Sequence, residues 1–439
     1  MAVGMVERAT AWLDSRRLFS LLMLTYLLSV SLALAVGYGL FYRSAVETLD
    51  YDEWEYWQLS TSLLNGAFDD PGRRTLGYPA VLAGLRLVSD NFHFVQLAVT
   101  ALAATAAPLL AFSLLRMGAS RLAGFLAGAA LAIWPPHLFL SASLYSEALA
   151  LPVLLLVLAL LPKGARARKA SFALWLVCGL LLGLLAHIRT MYQLFLPVIL
   201  FILLLESVPW KRAIAGWLTV VAGFLLVVLP WSFHVSGKAD APILLTANGG
   251  ETLAGGLTPR LFELEGSQPI QLGNRTAWTG PGKWVPATET GYLTPAETRL
   301  SYAEQDRLLR HRAVQWIADN PGDAAYLTMR KLAYQWGIYP WAPQGTLQIV
   351  AGNLPILALS ILTIASLALQ PASRAIGARF YLMPLFVIGI AIISWGSWRF
   401  RHPADAAMLG IVAVAVAARL QQGLQRVNQL ARTIAPPHA

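Results

Sequence analysis

A cluster of carboxylates follows the first long apolar stretch of the sequence: Asp50, Asp52, Glu53 and Glu55. Carboxylates crowded beside a membrane are costly unless they are exposed or paired with cations. One of them can act as a general base that removes the proton from an acceptor hydroxyl. The same spacing is typical of a solvated first helical turn, where acidic residues are favoured. The cluster alone leaves both interpretations open.

A second polar group, Tyr145-Ser146-Glu147, separates two apolar stretches and lies close in sequence to His137. A carboxylate at such a membrane rim can orient a substrate or bind a cation. An ordinary polar turn between two spans explains the pattern equally well.

Basic residues form a third group, on the side of the membrane where they are unusual. They are Arg73, Arg74, Arg189, Lys331, Arg399 and Arg401. Guanidinium groups bind phosphate through two parallel hydrogen bonds, so interfacial arginines can hold a lipid phosphate whose tail stays in the bilayer. Anchoring to lipid headgroups by snorkelling is the alternative for any one of them.

Composition shows what must position these residues. Apolar residues make up 57% of the 439-residue chain and charged residues 13%, against about 25% charged in soluble domains. Apolar stretches recur along the chain, and a hydrocarbon core about 30 Å thick needs about 20 such residues per helix. We therefore predict an all-α polytopic membrane protein with about ten transmembrane helices. The first stretch, Leu18–Tyr42, is too long for a signal-peptide core and is predicted to be a retained helix.

The distribution of charge gives the predicted topology. The net charge is +10, but the basic residues gather between apolar stretches, as the positive-inside rule describes, which argues against a nucleic-acid-binding face. Cytoplasmic placement of the basic clusters puts both termini in the cytoplasm. The predicted units are an N-terminal module of about seven spans (1–231), an external mixed domain (232–345) and a C-terminal module of about three spans (346–439). The external loop 43–91 is predicted to carry surface helices.

Helix predictions outside the membrane follow from amphipathic patterns and turn signals. They are Asp52–Leu64, Tyr78–Val88, Pro295–Asp319 and Asp323–Gln335. The single cysteine, Cys178, excludes an intrachain disulfide. Walker-type loops, dinucleotide fingerprints and His-Glu-x-x-His are absent from the sequence.

Taken in order, several short passages of this sequence resemble the GT-C glycosyltransferases. More narrowly, they are similar to the bacterial branch of the protein mannosyltransferase/aminoarabinose transferase superfamily (glycosyltransferase family 39). The passages are Asp52-Glu53-Trp54-Glu55-Tyr56, Arg74-Thr75-Leu76-Gly77-Tyr78-Pro79, Leu229-Pro230-Trp231 with Thr246-Ala247-Asn248-Gly249-Gly250, Ala313–Lys331 with its Asn320-Pro321-Gly322 break, and Arg399-Phe400-Arg401-His402-Pro403. The chain departs from the family at His234, where many relatives have Arg or Asn.

The resemblance implies a bundle with a GT-C fold in a bacterial inner membrane, with its active site on the periplasmic side. It implies transfer of a sugar from a polyprenyl-monophosphate donor to a hydroxyl of a glycan, lipid or protein, with inversion at the anomeric carbon. By motif position Asp52 is the base with Glu53 beside it, and Asp50 is the rival. Arg74, Lys331, Arg399 and Arg401 correspond to phosphate contacts. Tyr145, Glu147 and Arg189 correspond to polar loop tips that contact the substrate.

The resemblance requires no cofactor; a divalent metal ion is compatible with this chemistry, but beyond the two acidic groups around Asp52 and Glu147 the sequence shows no cluster of ligands for one. Two other classes of function remain open at this stage. A transporter or flippase of lipid-linked sugars would also need spans and arginines, although no intramembrane run of charges points to an ion path. A non-catalytic membrane assembly protein would need no base, so substitution of Asp52 separates these classes.

Overall fold

The computed structural model describes residues 18–37, 46–49, 51–68, 70, 72–163, 171–263, 270–272, 275–277, 284–338 and 353–434. The rival base Asp50 lies outside the described residues, as do the basic residues before position 18. The helices are α1 (Leu18–Leu32), α2 (Tyr51–Leu64), α3 (Gly77–Val88), α4 (Phe92–Ala103), α5 (Ala106–Arg116), α6 (Arg121–Ala132), α7 (Pro135–Ala142), α8 (Glu147–Leu160), α9 (Phe172–Ile188), α10 (Phe195–Leu205), α11 (Trp210–Ala239), α12 (Gly249–Gly256), α13 (Arg260–Glu263), α14 (Tyr302–Asp319), α15 (Pro321–Gln335), α16 (Leu354–Leu369), α17 (Pro371–Ala375), α18 (Ala378–Ile393) and α19 (His402–Ile434). Short antiparallel strands β1 (Ile270–Leu272) and β2 (Arg275–Ala277) pair with Ile270 opposite Ala277.

Apolar helices build the membrane bundle. Among the residues that the structure describes, four helices are long and apolar enough to cross a bilayer: Leu18–Val36, Phe92–Arg116, Trp210–Ala239 and Trp398–Val427. The pair α6 and α7, bent by 61°, forms a fifth candidate. Shorter apolar helices α8, α9, α10, α16 and α18 occupy the places of the remaining predicted spans. The prediction of an all-α polytopic membrane protein is confirmed.

Small residues allow the longest helices of the bundle to approach closely. A Cβ atom on Gly179 of α9 would lie 2.2 Å from the carbonyl oxygen of Val220 in α11. A Cβ on Gly223 of α11 would lie 2.5 Å from the carbonyl oxygen of Leu176. Because lipid provides no hydrophobic drive between helices, such close backbone contact is a main source of helix association in membranes.

The alternation of helix direction brings certain helix ends to one end of the bundle. The start of α8 and α19 and the end of α9 and α18 meet there. The end of α8 and the start of α18 are joined through Arg379. This residue is buried and donates to Glu206 (Nε to Oε1, 3.0 Å) and to the carbonyl of Leu161 (3.0 Å). The end that carries Glu147 and Arg399 also carries α2, α3 and the helices α12–α15.

The helices outside the bundle agree with the predictions except at some boundaries. The helix predicted from Pro295 begins at Tyr302, because Ser301 and Glu304 form a capping box that fixes its first turn. The predicted tip after α6 is partly helical, since Pro135 at a helix start has no amide hydrogen to leave unpaired. Helix α11 continues through Pro230 to Ala239, so the predicted boundary at residue 231 falls inside a helix.

Candidate active site

Asp52 lies in the first turn of α2 and is held between two arginines. Nη2 of Arg74 donates to its Oδ1 at 2.8 Å, and Nη2 of Arg399 donates to its Oδ2 at 2.9 Å. The Asp52 side chain is 22% exposed and that of Arg399 is 13% exposed. Charge-assisted hydrogen bonds are strong in such a partly buried setting. The three residues are far apart in sequence, so only the fold brings them together.

A tight turn before α3 presents Arg74. The carboxylate of Asp70 accepts hydrogen bonds from the backbone amides of Gly72 (2.8 Å) and Arg74 (3.0 Å). Gly72 has a φ of 95°, a conformation that favours glycine. The hydroxyl of Thr75 then donates to the carbonyl oxygen of His187 at the end of α9. These bonds fix the backbone of the turn against the bundle and so direct Arg74 towards Asp52.

Arg399 joins two carboxylates that lie on different helices. It belongs to the 3-10 turn Trp398–Arg401 between α18 and α19. While its Nη2 contacts Asp52, its Nη1 lies 3.5 Å from Oε1 of Glu147. Its guanidinium carbon lies 4.3 Å from the centre of the Tyr145 ring, a cation–π contact that helps to orient the group.

Glu147 and Arg189 form the second ion pair of the site. Glu147 begins α8, where the helix N-terminus favours a carboxylate. Nη1 of Arg189 lies 2.8 Å from Oε2 of Glu147 and donates to the hydroxyl of Ser146 at 3.0 Å. The Arg189 guanidinium also lies over the ring of Phe400, at 4.8 Å from its centre.

Some of the buried polar atoms in this site have no partner. Within the described part of the chain, Nη1 of Arg399 and Nε of Arg189 have no hydrogen-bond acceptor, and Oε1 of Glu147 accepts no hydrogen bond. A buried donor without a partner costs about 1–3 kcal/mol. An anion with several oxygens, such as a phosphate monoester, would satisfy guanidinium donors of this kind.

The arginines also decide the protonation of Asp52. Burial alone would raise the pKa of Asp52, but the Arg74 and Arg399 guanidiniums outweigh burial and hold that pKa well below its usual range. Asp52 is therefore ionised at neutral pH. In this arrangement both of its oxygens accept hydrogen bonds from arginine, which makes it a weak base until a guanidinium moves away.

These contacts belong to one continuous series of alternating charges, which we call the ion-pair chain. Its members, in order, are Arg189, Glu147, Arg399, Asp52, Arg74, Glu55, Arg73 and Glu251, with four arginines and four carboxylates. Successive charged atoms are separated by 2.6 Å at the closest link and by 3.5 Å at the longest. Because the charges balance, an added anion would take guanidinium partners away from carboxylates.

Two predicted site residues, Glu53 and Lys331, have partners outside the ion-pair chain. Glu53 is fully buried and accepts a hydrogen bond from the backbone amide of Leu144 at 2.8 Å. Lys331 is fully buried and donates to the carbonyls of Ile392 (3.2 Å) and Ser394 (2.8 Å). Burial lowers the pKa of Lys331 to about 7.

Arg401 points away from the ion-pair chain. It donates to Oδ1 of Asp405 at 2.7 Å and to the carbonyl oxygen of Gln335, while Trp134 donates to Oδ2 of Asp405 at 2.9 Å. Through these bonds Arg401, like Lys331, fixes the segment that carries Arg399. The contact with a substrate phosphate that the resemblance implies for both residues remains a prediction.

Several residues of the site were not among the predicted site residues. They are Glu55, Tyr56, Arg73, Ser146 and Glu251. Glu55 and Arg73 belong to the acidic and basic groups that the sequence singles out, but the resemblance gives neither of them a role in the site. Glu251 directly follows the Asn-Gly-Gly passage, but no spacing in the sequence connects it with Arg73.

The arrangement of carboxylates bears on the binding of a metal ion. The described residues contain no group of three or more His, Cys, Asp or Glu side chains that could hold one. Asp52 and Glu147, the two carboxylates that share Arg399, are each paired with two arginines. Hard divalent cations need several free oxygen ligands, so this donor set does not fit one as it stands.

Comparison with known proteins gives information on the fold. No protein-family model matches the chain, and no curated protein matches it. Solved structures do match: the archaeal oligosaccharyltransferase AglB from Archaeoglobus fulgidus, in complex with an inhibitory peptide and a dolichol-phosphate, is 14% identical with a TM-score of 0.54. The match covers 98% of this chain and 53% of that one.

Two further structures of the Archaeoglobus fulgidus oligosaccharyltransferase give the same result. The apo form is 13% identical with a TM-score of 0.52, covering 98% of this chain and 53% of that one. The form tethered with an acceptor peptide is 14% identical with a TM-score of 0.52, covering 94% and 50%. The chain thus spans about half the length of these structures. The chain therefore shares the fold of these oligosaccharyltransferase structures.

Proposed function

We propose that this protein is a membrane glycosyltransferase that moves a sugar from a polyprenyl-monophosphate donor to an acceptor hydroxyl. The observation that supports this most directly is the position of Arg399. Its guanidinium links Asp52 to Glu147 and keeps a buried donor without an acceptor among the described residues. A candidate base thus lies directly beside a candidate phosphate site.

The lipid phosphate would be held by Arg399 and Arg189, with Arg74 nearby. The unused donors of Arg399 and Arg189 fit the non-bridging oxygens of the donor's phosphodiester, which becomes a phosphate monoester when the sugar leaves. The rings of Tyr145 and Phe400 lie over these two guanidiniums and fix their planes. That one of the similar structures contains a dolichol-phosphate is in line with a lipid phosphate as ligand.

The chemistry is a single displacement that inverts the anomeric carbon. The oxygen of the acceptor hydroxyl forms a bond to that carbon, while the bond from the carbon to the phosphate oxygen breaks. The bonding electrons leave with the phosphate, and the hydroxyl proton passes to the carboxylate of Asp52. The arginines stabilise the negative charge that develops on the departing phosphate.

In the resting arrangement Asp52 is not ready to act as a base. Its two oxygens accept from Arg74 and Arg399. Phosphate oxygens compete for the same guanidinium donors, so donor binding would loosen at least one of these bonds. The loss of a guanidinium hydrogen bond raises the proton affinity of Asp52 when the donor is in place.

The location follows from the topology argument. The positive-inside rule supports a topology with both termini in the cytoplasm and the ion-pair chain at the non-cytoplasmic face, which in the proposal is that of a bacterial inner membrane. The acceptor would be a glycan, a lipid or a protein that reaches this face. The partners would thus be the lipid-linked donor, the acceptor and the surrounding membrane lipids, without nucleic acid.

Substitution of Asp52 by Asn tests the base. We expect Asp52→Asn protein in nanodiscs to bind sugar-free polyprenyl monophosphate within a few-fold of wild type. We expect it to release polyprenyl monophosphate from a panel of polyprenyl-phosphate hexoses and pentoses at a rate lower by roughly 10²–10⁴, the usual contribution of a general base. The matched control is Asp319→Asn, which changes an exposed aspartate at the end of α14.

Two results would contradict the proposal at different levels. Transfer at the wild-type rate by Asp52→Asn would exclude Asp52 as the base. Wild-type protein that binds polyprenyl monophosphate and carries its sugar derivative across vesicles without breaking the sugar–phosphate bond would be a transporter instead.

A further inference from the structure

Glu251 connects the helices outside the bundle with the candidate active site. It lies near the start of α12 and its side chain is 8% exposed. Oε1 lies 3.4 Å from Nη2 of Arg73, and Oε2 accepts from the hydroxyl of Tyr302 in α14. It is the last carboxylate of the ion-pair chain as defined above and its only member from α12.

Helix α12 is fixed firmly on α14, so Glu251 has a defined position. The backbone amide of Glu251 donates to Oδ1 of Asp306 at 2.9 Å. A Cβ atom on Gly250 would lie 1.9 Å from the backbone oxygen of Asp306, so only glycine permits this approach. Because its backbone is fixed, Glu251 holds the groups that its carboxylate binds, Arg73 and Tyr302, in defined positions.

The same segment also holds the backbone beside Arg73. The amide of Ala247 donates to the carbonyl of Gly72 at 2.7 Å, and Nδ2 of Asn248 donates to the carbonyl of Arg73 at 3.2 Å. The turn that presents Arg74 is therefore held both by residues 247–251 and by the end of α9. Both the backbone contacts and the side-chain contacts thus connect residues 247–251 with the turn that presents Arg74.

We propose that Glu251 is a positioning residue that, through Arg73 and Glu55, sets how firmly Arg74 holds Asp52. This rests on the proposed role of Asp52 as the base. Arg74 divides its donors between Glu55 (Nη2 to Oε2, 2.6 Å) and Asp52 (Nη2 to Oδ1, 2.8 Å). A change in the positive charge beside Glu55 therefore changes how Arg74 shares its hydrogen bonds between Glu55 and Asp52.

The alternation of charge gives the direction of each effect. Without the charge of Glu251, more of the positive charge of Arg73 is available to Glu55, and Glu55 then competes less for Arg74. Arg74 holds Asp52 more firmly, so Asp52 becomes harder to protonate. Without the charge of Arg73, Glu55 draws Arg74 away, so Asp52 becomes easier to protonate.

Every charged or titratable group that faces Asp52 in the described structure enters this balance. They are Glu55 and Tyr56 from α2, Arg74 from the turn before α3, Arg189 from the end of α9, and Arg399 from the turn before α19, with Glu147 behind Arg399. Glu251 itself faces Arg73, Tyr302 and Asp306.

The test is the titration of Asp52 in four proteins: wild type, Glu251→Gln, Arg73→Gln and the double variant. Carbon-13 NMR of protein labelled at aspartate carboxyls follows it, with the Asp52 signal identified by its loss in Asp52→Asn. A unit charge roughly 10 Å away shifts a pKa by about one unit at an effective dielectric constant of 20. We expect the Asp52 midpoint to fall by roughly half to one pH unit in Glu251→Gln and to rise in Arg73→Gln. The double variant should lie near wild type, with the two shifts largely cancelling.

The matched control is Glu297→Gln, which breaks an ion pair with Arg312 in the same outer helices (2.7 Å) and has no contact with the ion-pair chain. It should leave the Asp52 midpoint unchanged. Shifts of equal sign in the two single variants, or an equal shift in Glu297→Gln, would overturn the inference. NMR does not need turnover, so sugar transfer measured in parallel judges the proposed function separately.

Discussion

Replacement of Arg399 by Lys separates the charge of this residue from its geometry. Lysine keeps the positive charge but replaces a planar group of five donors by a single ammonium. In the structure Nη2 of Arg399 donates to Asp52 at 2.9 Å while Nη1 lies 3.5 Å from Glu147. One ammonium placed against Asp52 loses the link to Glu147 and the plane that faces a phosphate.

The expected sizes follow from the partners that remain. Asp52 keeps Arg74 and Glu147 keeps Arg189, so neither carboxylate is left buried alone. The loss of one charge-assisted hydrogen bond costs about 1.5–3 kcal/mol of folding stability. Loss of a preorganised donor at the developing charge costs about 10²–10³ in kcat. We therefore expect a folded protein with kcat lower by about two orders of magnitude.

The assay combines thermal unfolding in detergent with release of polyprenyl monophosphate from its sugar derivatives. Arg260→Lys is the control, because Arg260 forms an exposed pair with Glu263. That control should match wild type in both measurements. If Arg399→Lys transferred sugar at the wild-type rate, the argument that a planar guanidinium holds the departing phosphate would fail.

Two further predictions concern the elements that hold the site. Gly250→Ala places a Cβ atom 1.9 Å from the Asp306 backbone oxygen, and we expect thermal unfolding to show a loss of at least about 2 kcal/mol in stability. The control Gly322→Ala, which has open space around it, should stay near wild type. Equal stability of both variants would refute the close contact. Burial lowers the pKa of Lys331 from 10.5 to about 7. Between these two pH values the unfolded state binds more protons than the folded state, so the free energy of unfolding should rise with pH, by at most about 5 kcal/mol. Chemical unfolding at pH 7 to 10 should show this rise in wild type and a flatter profile in Lys331→Met; parallel profiles would contradict it.

Much of the fold could be predicted from the sequence because its signals are local. The apolar stretches exceed what a soluble domain would expose, so they must be membrane helices. The helix Tyr51–Leu64 was predicted from an amphipathic pattern to within one residue at its start. The helix predicted from Pro295 begins only at Tyr302, because Glu297–Arg299 forms a separate 3-10 turn and the capping box of Ser301 and Glu304 fixes the first turn of the helix.

The candidate site shows the same division between local and distant information. The sequence placed Asp52, Glu147, Arg189 and Arg399 at one end of the bundle, because alternating spans and the charges between them determine the side on which each loop lies. The sequence on either side of Lys331 gives no indication that this lysine is buried against the carbonyls of Ile392 and Ser394. Those partners are about 60 positions away, as their numbers in the sequence show.

The sequence by itself thus determined the class of protein, the order of its helices and the carboxylates and arginines worth examining. These follow from hydropathy, charge and short motifs, each of which acts over a few neighbouring residues. Only the tertiary structure decided that Arg399 bridges Asp52 and Glu147, and that Glu251 ends the ion-pair chain. Ion pairs form over 3–4 Å between residues that can be hundreds of positions apart, so their partners depend on helix packing and not on local sequence.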